Sequence, residues 1–600
     1  MLCCSMAFGQ DLFVSNGSYL FVDGTAFTSG PAVAPLYVTN DISLATNSHV
    51  YLRNNAQLLQ GNNAGNSGTG QLSVYQSGTS NTYMYNYWCS PVGLNSGATG
   101  NTAFRPTNNL YGETLAPITS LPATYVNEST SYDGIAGTPP TIASFWLYSF
   151  LGSTAAPNEY VDWVALDETS SSLPSGYGWT MKGNPSGAQQ YDFRGRPNNG
   201  TINNITVNPN RETLVGNPYP SAIDARAFIH DATNSTIINA ATLSFWEQDP
   251  LNSTSHVLVN YRGGYATYTI NATGAVVETF TPATFDTYNA DGTLSTTGSA
   301  SATGKAVFRY VPIGQGFMVE GDASGGNLRF TNSMRTFQKE AALSSAFFRG
   351  SSNLSKRDAE EARYNEDGQC IMPEGYKRFR INIDFNDTYT RQLTQTFHYT
   401  ATNGKDYGLE TRSPEALQAD AYWPQDDEAY NAQAFNFDVN LRIPLVININ
   451  AEQPLRFRIF DIQNFDESQG IYIHDTENDT YANLRNLDYE LNIEPGNYTN
   501  RFEVVFTPGE ALNIHDFEVS KLTITQNNSI NQLSVLNPNS LDIKSIDVFD
   551  VAGKRMLNVH YDAVLNRYEI STTDLSDGVY VVNVKSNSNT VKSQKIIVKN

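Results

Sequence analysis

Positive charge is scarce in this sequence. Its 600 residues include 37 lysines and arginines against 59 aspartates and glutamates, which gives a formal net charge of −22 at pH 7. Affinity for nucleic acid depends largely on basic side chains that neutralise phosphates. The composition therefore argues against a nucleic-acid partner. Charged residues of both signs make up only 16% of the chain, which argues against a cytosolic helical enzyme.

Cysteines and long apolar runs are also scarce. Beyond the first ten residues only Cys89 and Cys370 remain, and they lie far apart, so the chain lacks the dense cysteine pattern of a disulfide framework. We expect both to be buried free thiols, with a single bridge between them as the alternative. No run of 18 apolar residues occurs, so we expect no transmembrane segment.

Motifs of common enzyme chemistry are missing. The seven histidines show no metal-ligand spacing, and the sequence contains no His-Glu-x-x-His, no Gly-x-Ser-x-Gly and no phosphate loop that ends in Gly-Lys-Ser/Thr. A glycosidase needs no such local signature, because its two carboxylates come from distant positions. We therefore name no catalytic residue, favour a non-enzymatic protein and keep a secreted hydrolase as the alternative.

Polar turn formers and β-favouring residues are abundant. The chain has 44 glycines, 34 tyrosines and 30 phenylalanines, together with many asparagines, serines and threonines. Such a mixture is typical of extracellular β-proteins with many short strands, and the length suggests several domains. We predict an all-β fold made of β-sandwich-like domains in tandem, which ends in a small immunoglobulin-like sandwich.

An internal similarity runs through the first 340 residues. The segment 144–147 is matched by 243–247, and 174–183, with its Gly-x-Gly-aromatic step, is matched by 312–321. The unequal spacing argues against a solenoid or propeller and favours two diverged copies of one β-unit, in which the glycines mark bulges, turns or close backbone contacts. The domains that we predict are a signal-peptide remnant at 1–10, the two copies at 11–205 and 206–340, a charged linker at 341–372, a β-sandwich at 373–520 and a C-terminal domain at 521–600.

The C-terminal segment consists of short strand-like runs separated by turn formers. Runs at 533–535, 546–549, 568–570, 579–584 and 596–598 alternate with the turns 552–554 and 576–578. Alternate residues of a strand point to opposite faces. The pattern therefore predicts a small antiparallel β-sandwich.

Three ordered motifs in this segment carry a family resemblance. Ile-x-Val-Phe-Asp-Val-Ala-Gly-Lys is followed by Leu-Ser-Asp-Gly-Val-Tyr-Val-Val-Asn-Val and by a terminal Lys-Ile-Ile-Val-Lys. The segment 521–600 resembles the type A sorting domain of the type IX secretion system of Bacteroidota. The resemblance implies export to the outer cell surface or the medium, with the type IX machinery as a partner. The sorting-signal residues that it implies are Gly553, Lys554, Gly578, Tyr580 and Lys595.

Other segments favour the same location. Residues 87–93, 216–221 and 312–317 resemble a body shared by large Bacteroidota surface proteins, a resemblance that covers roughly 80–340. Residues 1–10 are typical of the end of a signal peptide without its basic start, with Gln10-Asp11 as the expected mature start. The family element Pro-Asn-Pro is represented only by Asn-Pro-Asn at 537–539, so we interpret the sorting domain as a shortened variant.

Aromatic residues are the candidates for a binding surface, because sugar rings stack on tryptophan and tyrosine. Trp88 and Trp423 have polar sequence neighbours. Tyr83, Tyr85 and Tyr87 alternate on one strand face, which predicts either a binding platform or an inward stripe.

Clustered carboxylates raise calcium as the one cofactor that the sequence suggests. The candidate ligands are Asp384, Asp387, Asp475 and Asp479, since calcium prefers hard oxygen ligands. None of them lies in an EF-hand spacing. The alternative is that they are turn residues whose side chains bind their own backbone.

These observations converge on a secreted or cell-surface protein. We expect a non-enzymatic role in adhesion, through glycans or matrix and surface proteins, with repetition on the cell surface supplying avidity. The alternatives are a secreted hydrolase of polysaccharide or protein, and a structural subunit that self-associates through an edge strand.

Overall fold

The structure is a computed structural model. It describes residues 10–25, 35–78, 81–153, 160–166, 171–185, 189–295, 299–300, 305–340, 345–348, 364–365, 369–414, 417–508, 522–538, 540–551, 553–586 and 591–599. Most of the predicted signal remnant and of the predicted charged linker lies outside them. The chain forms two units, Met1–Phe506 and Thr507–Asn600, and the predicted boundaries inside the first unit stay predictions.

The first strands coil into a short parallel β-helix. Leu12 pairs with Ile42 in parallel register, and Tyr19 pairs with His49, which pairs in turn with Gln71. Apolar side chains at alternate positions of these strands, among them Val14, Leu44, Val50 and Leu72, fill the interior of the coil. The strands are β1 (Leu12–Val14), β2 (Tyr19–Asp23), β3 (Leu36–Val38), β4 (Ile42–Leu44), β5 (His49–Arg53), β6 (Leu58–Gln60), β7 (Ser67–Gly68) and β8 (Gln71–Ser77).

The next segment extends one face of the β-helix and adds a separate sheet. Strand β8 pairs with β18, so that β12, β11, β18, β8, β5 and β2 form a continuous sheet, and β16, β15, β17 and β9 form another. The elements are β9 (Tyr85–Cys89), β10 (Val92–Gly93), α1 (Pro106–Asn109), β11 (Leu110–Glu113), β12 (Ser120–Pro122), β13 (Thr124–Val126), β14 (Thr141–Ala143), a 3-10 turn (Ser144–Trp146), β15 (Tyr148–Phe150), a 3-10 turn (Tyr160–Asp162), β16 (Trp163–Ala165), β17 (Gly178–Lys182) and β18 (Gln190–Pro197).

The described part of residues 202–336 forms three sheets. The largest of them packs against the sheet of β16, β15, β17 and β9. A layer of Tyr87, Phe150, Leu214 and Met318 lies between them. The elements are β19 (Ile202–Val207), β20 (Glu212–Gly216), β21 (Ala222–Asp224), α2 (Ala225–Ile229), 3-10 turns (Asn234–Thr236 and Asn239–Ala241), β22 (Leu243–Gln248), a 3-10 turn (Leu258–Asn260), β23 (Arg262–Ile270), β24 (Glu278–Thr281), β25 (Thr284–Thr287), β26 (Ser299–Ala300), β27 (Tyr310–Val311), β28 (Gly316–Glu320), β29 (Gly326–Phe330), a 3-10 turn (Asn332–Met334) and β30 (Arg335–Thr336).

Residues 377–505 form a large curved sheet. Tyr489 lies in the strand at one edge of this sheet, and its hydroxyl donates a hydrogen bond of 3.0 Å to Asp475. Asp475 belongs to the second strand from the opposite edge. Arg378 donates to the carbonyl of Glu278 at 2.9 Å, which ties this sheet to the preceding one. The strands are β31 (Lys377–Phe385), β32 (Tyr389–Phe397), β33 (Thr411–Arg412), β34 (Asp420–Gln425), β35 (Glu428–Phe435), β36 (Arg442–Ile449), β37 (Gln453–Gln463), β38 (Tyr472–Asp475), β39 (Thr480–Asn483), β40 (Tyr489–Ile493) and β41 (Gly496–Val505).

The C-terminal unit is a small antiparallel sandwich, as predicted. Tyr580, Val582 and Val584 are buried in its core, and its sheets have the orders β42-β43-β46 and β45-β44-β47-β48. The strands are β42 (Thr523–Asn527), β43 (Gln532–Leu536), β44 (Ile543–Asp550), β45 (Arg555–His560), β46 (Arg567–Ser571), β47 (Gly578–Ser586) and β48 (Val591–Val598). With these strands the all-β prediction is confirmed for both units.

Candidate ligand-binding cavity

A cavity of about 560 Å³ lies where β2 and β5 end, beside β8. This volume falls within the range of about 300–1,000 Å³ that is usual for small-molecule sites. Exposed residues at its rim, Asn54, Asn55, Leu115 and Pro117, show that the cavity opens to solvent. Its walls include Phe21, Asp23, Arg53, Tyr75, Glu113, Gln190 and Glu340.

Strand alternation places these side chains. In β5, Val50 and Leu52 point into the β-helix, so Tyr51 and Arg53 lie on the other face. The same alternation in β8 puts Val74 inside and Tyr75 on the face that Arg53 shares. A polar and aromatic surface therefore forms on the outside of an apolar coil.

Arg53 organises the cavity wall. Its Nε donates to the carbonyl of Pro117 at 2.7 Å, and its Nη2 donates to Ser73 Oγ at 2.8 Å. The guanidinium carbon lies 3.6 Å from the ring centroid of Tyr75, a cation–π contact. Burial lowers the pKa of Arg53. Since Pro117 belongs to the loop at the rim, Arg53 fixes that loop against the sheet.

A fully buried carboxylate lies behind this wall. Asp192 has no exposed surface and accepts hydrogen bonds from Ser73 Oγ and Ser120 Oγ, each at 2.6 Å, and from Arg194 Nε at 2.7 Å. Its charge is balanced by Arg194 and, at 4.0 Å, by Arg53. This network links β8, β12 and β18 behind the cavity wall.

The lining of the cavity is polar and partly aromatic. The Tyr75 hydroxyl is buried and has no hydrogen-bond partner in the described part of the chain, and burial raises the pKa of Tyr75. Burial also raises the pKa of Glu113, an effect that nearby Arg53 opposes. The lining thus combines the Tyr75 side chain, carboxylates and, from Phe21, an apolar ring face that is 37% exposed.

The two tryptophans singled out in the sequence lie elsewhere. Trp88 and Trp423 are both 0% exposed. Trp88 packs between Trp179 and Phe347, and Trp423 donates from Nε1 to the Thr394 carbonyl at 3.1 Å. Each ring belongs to the core of a different sheet. Because both are buried, neither has an exposed face that a ligand could contact.

Of the three tyrosines, Tyr85 and Tyr87 belong to β9 and point into the layer between the two sheets, and Tyr83 comes just before the strand. Tyr87 is 5% exposed, and its hydroxyl lies 2.8 Å from that of Tyr265. Tyr85 packs edge-on against Trp146, and Tyr83, which is half-buried, packs against His256. The stripe therefore runs inward, the second of the two predicted arrangements.

The four candidate calcium ligands do not form one cluster. Arg458 and Arg501 bind the carboxylates of Asp384 and Asp475, with shortest distances of 2.6 and 2.8 Å. Burial raises the pKa of Asp384, but hydrogen bonds led by that from Arg458 outweigh it and lower the pKa. Asp387 and Asp479 have left-handed backbones, with φ of 51° and 48°, as turn residues do. No group of three or more metal-ligating side chains occurs among the described residues.

The remaining predicted residues have clear structural positions. Cys89 and Cys370 are buried free thiols, and burial raises the pKa of Cys89 to about 12. In the C-terminal unit Gly553 takes a φ of 80° in the turn after β44, which favours glycine. Tyr580 donates to the Ser576 carbonyl at 2.9 Å. Gly578 begins β47, and Lys554 and Lys595 are exposed.

The structure also assembles a cluster that the sequence did not predict. Lys182 is 5% exposed and lies 3.5 Å from the ring centroid of Trp146. Its Nζ is 3.1 Å from His256 Nδ1, and His256 Nε2 is 2.8 Å from Asp133 Oδ1. These residues come from distant segments, so no local spacing marks them. The cavity residues were missed for the same reason.

Comparisons with known proteins match both units. A family model described as Domain of unknown function (DUF8693) matches residues 5–506, and one described as Secretion system C-terminal sorting domain matches residues 520–599. A search of the curated proteins found no match. A solved structure described as "Biofilm associated protein - BSP domain" aligns over 76% of this chain and 87% of that chain, at 10% identity and a TM-score of 0.11, which carries no argument.

The sorting-domain match confirms the predicted C-terminal domain. The chain is therefore exported through the type IX secretion system to the outer cell surface or the medium. Within the described residues, no helix has the length and apolar character needed to span a membrane.

Proposed function

Since the chain belongs to the family described as Domain of unknown function (DUF8693), whose description gives no activity, we propose a function from the cavity itself. The protein is a non-enzymatic surface or secreted binding protein that takes part in adhesion, and the cavity beside β2, β5 and β8 holds a sugar unit of an extracellular glycan. The observation that carries this proposal is the Tyr75 side chain, which lines the cavity and whose hydroxyl has no protein partner among the described residues.

The chemistry of the walls supports a polyhydroxylated ligand. A sugar hydroxyl can donate to Glu113 or accept from Tyr75, while the apolar face of the ring packs on Phe21. A polar group left unpaired in a buried place costs about 1–3 kcal/mol. A ligand that satisfies the Tyr75 hydroxyl removes this cost, which favours a hydroxylated ligand over an apolar one.

The charged residues that line the cavity favour a neutral ligand. Asp23, Glu113 and Glu340 line the cavity together with the single cation Arg53, and Arg53 already makes its own hydrogen bonds to protein groups. A phosphorylated or strongly acidic ligand is disfavoured there, because three carboxylates and one basic side chain line the cavity and like charges repel. Neutral glycans are therefore the first class to test.

The test is binding of the full chain to an immobilised panel of neutral glycans and matrix proteins, with released fragments assayed in parallel. We expect saturable binding to a glycan without release. Tyr75→Phe, which removes only the hydroxyl, is expected to weaken that binding about three- to tenfold, the effect of one hydrogen bond. The matched control is Tyr37→Phe, at a ring that is 57% exposed on another face of the β-helix.

Other outcomes lead to different functions. Release of fragments from a glycan or a matrix protein makes the chain a hydrolase. Binding only to matrix proteins, unchanged by Tyr75→Phe, rules out the cavity as a glycan site. Association of the purified chain that depends on its own concentration, without binding to the panel, favours a self-assembling subunit.

A further inference from the structure

The candidate cavity continues into an exposed aromatic strip on β2. Phe21 lines the cavity, and Tyr19, two residues earlier, lies on the same face of the strand. Phe21 is 37% and Tyr19 57% exposed. Since a strand rises about 3.3 Å per residue, the distance from Asp23 at the cavity to Tyr19 is about 13 Å, longer than one sugar ring.

Neighbouring rings hold this strip in place. The ring of Tyr51 on β5 lies 5.8 Å from Tyr19, edge-on, and it stacks on His49 at 5.3 Å. In register, Tyr51 is directly opposite Phe21. Tyr51 itself is 5% exposed, so it supports the outer rings and leaves Tyr19 and Phe21 to face solvent.

We propose that the ligand of the cavity is a chain of several sugar units, one held in the cavity and the following ones stacked on Phe21 and Tyr19. This inference rests on the proposed glycan-binding function and adds the direction and length of the site. A single sugar is held by the cavity alone. A linear oligosaccharide that leaves the cavity along β2 covers the exposed rings, which gain stacking contacts and are removed from water.

The test is a chain-length series. Cello-, chito-, xylo- and laminari-oligosaccharides, from monomer to hexamer, are titrated into the full chain by calorimetry. We expect affinity in at least one series to rise from the monomer to the trimer or beyond. Tyr19→Ala is expected to weaken binding of the hexamer about three- to tenfold, which corresponds to one stacking contact, and to leave binding of the monomer unchanged.

The matched control is Phe13→Ala. Phe13 is 68% exposed on β1, in a different sheet of the β-helix, so its removal should change neither affinity. Both rings are exposed, so neither substitution should prevent folding, and circular dichroism checks this.

The two proposals fail separately. Equal affinities for monomer and hexamer, or an equal effect of Tyr19→Ala on both, overturn the extended site, while sensitivity to Tyr75→Phe still supports the cavity. If none of the four series binds, or if binding is indifferent to both Tyr75→Phe and Tyr19→Ala, both proposals fall.

Discussion

The side-chain nitrogen of Lys182 lies 3.1 Å from Nδ1 of His256, with the ring of Trp146 beside both. Desolvation lowers the pKa of Lys182 to about 6, while Asp133 opposes the shift. The surrounding ring faces also favour the ammonium form. Desolvation lowers the pKa of His256 as well, against the opposing effect of the hydrogen bond that His256 donates to Asp133. Lys182 and His256 therefore become protonated only at acidic pH.

The first prediction concerns stability against pH. Between about pH 6 and the ordinary pKa of lysine, the unfolded chain binds a proton that folded Lys182 does not, so the free energy of unfolding rises with pH in this window. Lys182→Met removes this contribution and is expected to stabilise the first unit at pH 7, with a flatter pH dependence.

Tryptophan fluorescence during urea unfolding measures this effect in the first unit alone, because all six tryptophans precede residue 507. The control is Lys405→Met, at a half-exposed lysine that pairs with Glu428. If Lys182→Met destabilises the unit at every pH, the contacts of Lys182 with the aromatic rings stabilise the fold by more than desolvation of its amino group costs.

The second prediction concerns a glycine contact. Gly178 and Gly316 both approach the backbone of Trp88, and a Cβ on Gly316 would lie 2.8 Å from Trp88 N and O. Overpacking of this kind costs about 1–3 kcal/mol. Gly316→Ala should therefore lower the free energy of unfolding by that amount, measured by urea denaturation. Gly97→Ala, where nothing lies within 4 Å, should leave it nearly unchanged.

These glycines show which parts of the fold the sequence could predict. The Gly-x-Gly-aromatic steps predicted bulges, turns or close backbone contacts, and Gly178 and Gly316 make the last of these. In the sorting domain, alternation along the strand separates Tyr580, Val582 and Val584 from the residues between them, and the structure shows that these three form the core face. The β-helix was missed, although Asp11-Leu12-x-Val14 recurs as Asp41-Ile42-x-Leu44, because only two to three short coils are present and their connecting loops differ in length.

The third prediction concerns the buried carboxylate behind the cavity. Asp192→Ala leaves Arg194 and Ser73 without their acceptor. Removal of one partner from a buried ion pair costs about 3–5 kcal/mol, so urea unfolding of the first unit should shift by about that amount. Glu452→Ala, at an exposed carboxylate of the same unit, should have little effect. Equal stability of both variants would mean that water replaces Asp192 readily.

The fourth prediction concerns the loop at the cavity rim. Arg53→Met removes the hydrogen bond to Pro117, which holds this loop to the sheet. Since Leu115 is fully exposed, we expect limited proteolysis within 114–119 to accelerate, with new fragments identified by mass spectrometry. A matched substitution, Arg555→Met on the surface of the sorting domain, should not change this cleavage. Unchanged cleavage in Arg53→Met would show that other contacts hold the loop.

The cavity could not be predicted from the sequence because burial is a property of the assembled sheets. Trp88 and Trp423 have polar neighbours along the chain, yet in space they are enclosed by aromatic and apolar groups. Arg53, Tyr75 and Asp192 are adjacent only because three separate strands pair. Alternation determines which side chains of β5 and of β8 share a face, but only the pairing of the two strands brings Arg53 beside Tyr75.

The last prediction concerns export. Residues 523–598 fold into a complete sandwich with its own apolar core, so the sorting signal should work apart from the rest of the chain. In a Bacteroidota host with an active type IX system, a chain that ends at Ser520 should accumulate in the periplasm. A secreted reporter fused to residues 507–600 should reach the surface or medium. Lys595→Ala, at an exposed position, separates recognition from folding: the sandwich should melt normally, and loss of export would place Lys595 in contact with the machinery. Export of the truncated chain would instead mean that the signal lies within residues 1–520.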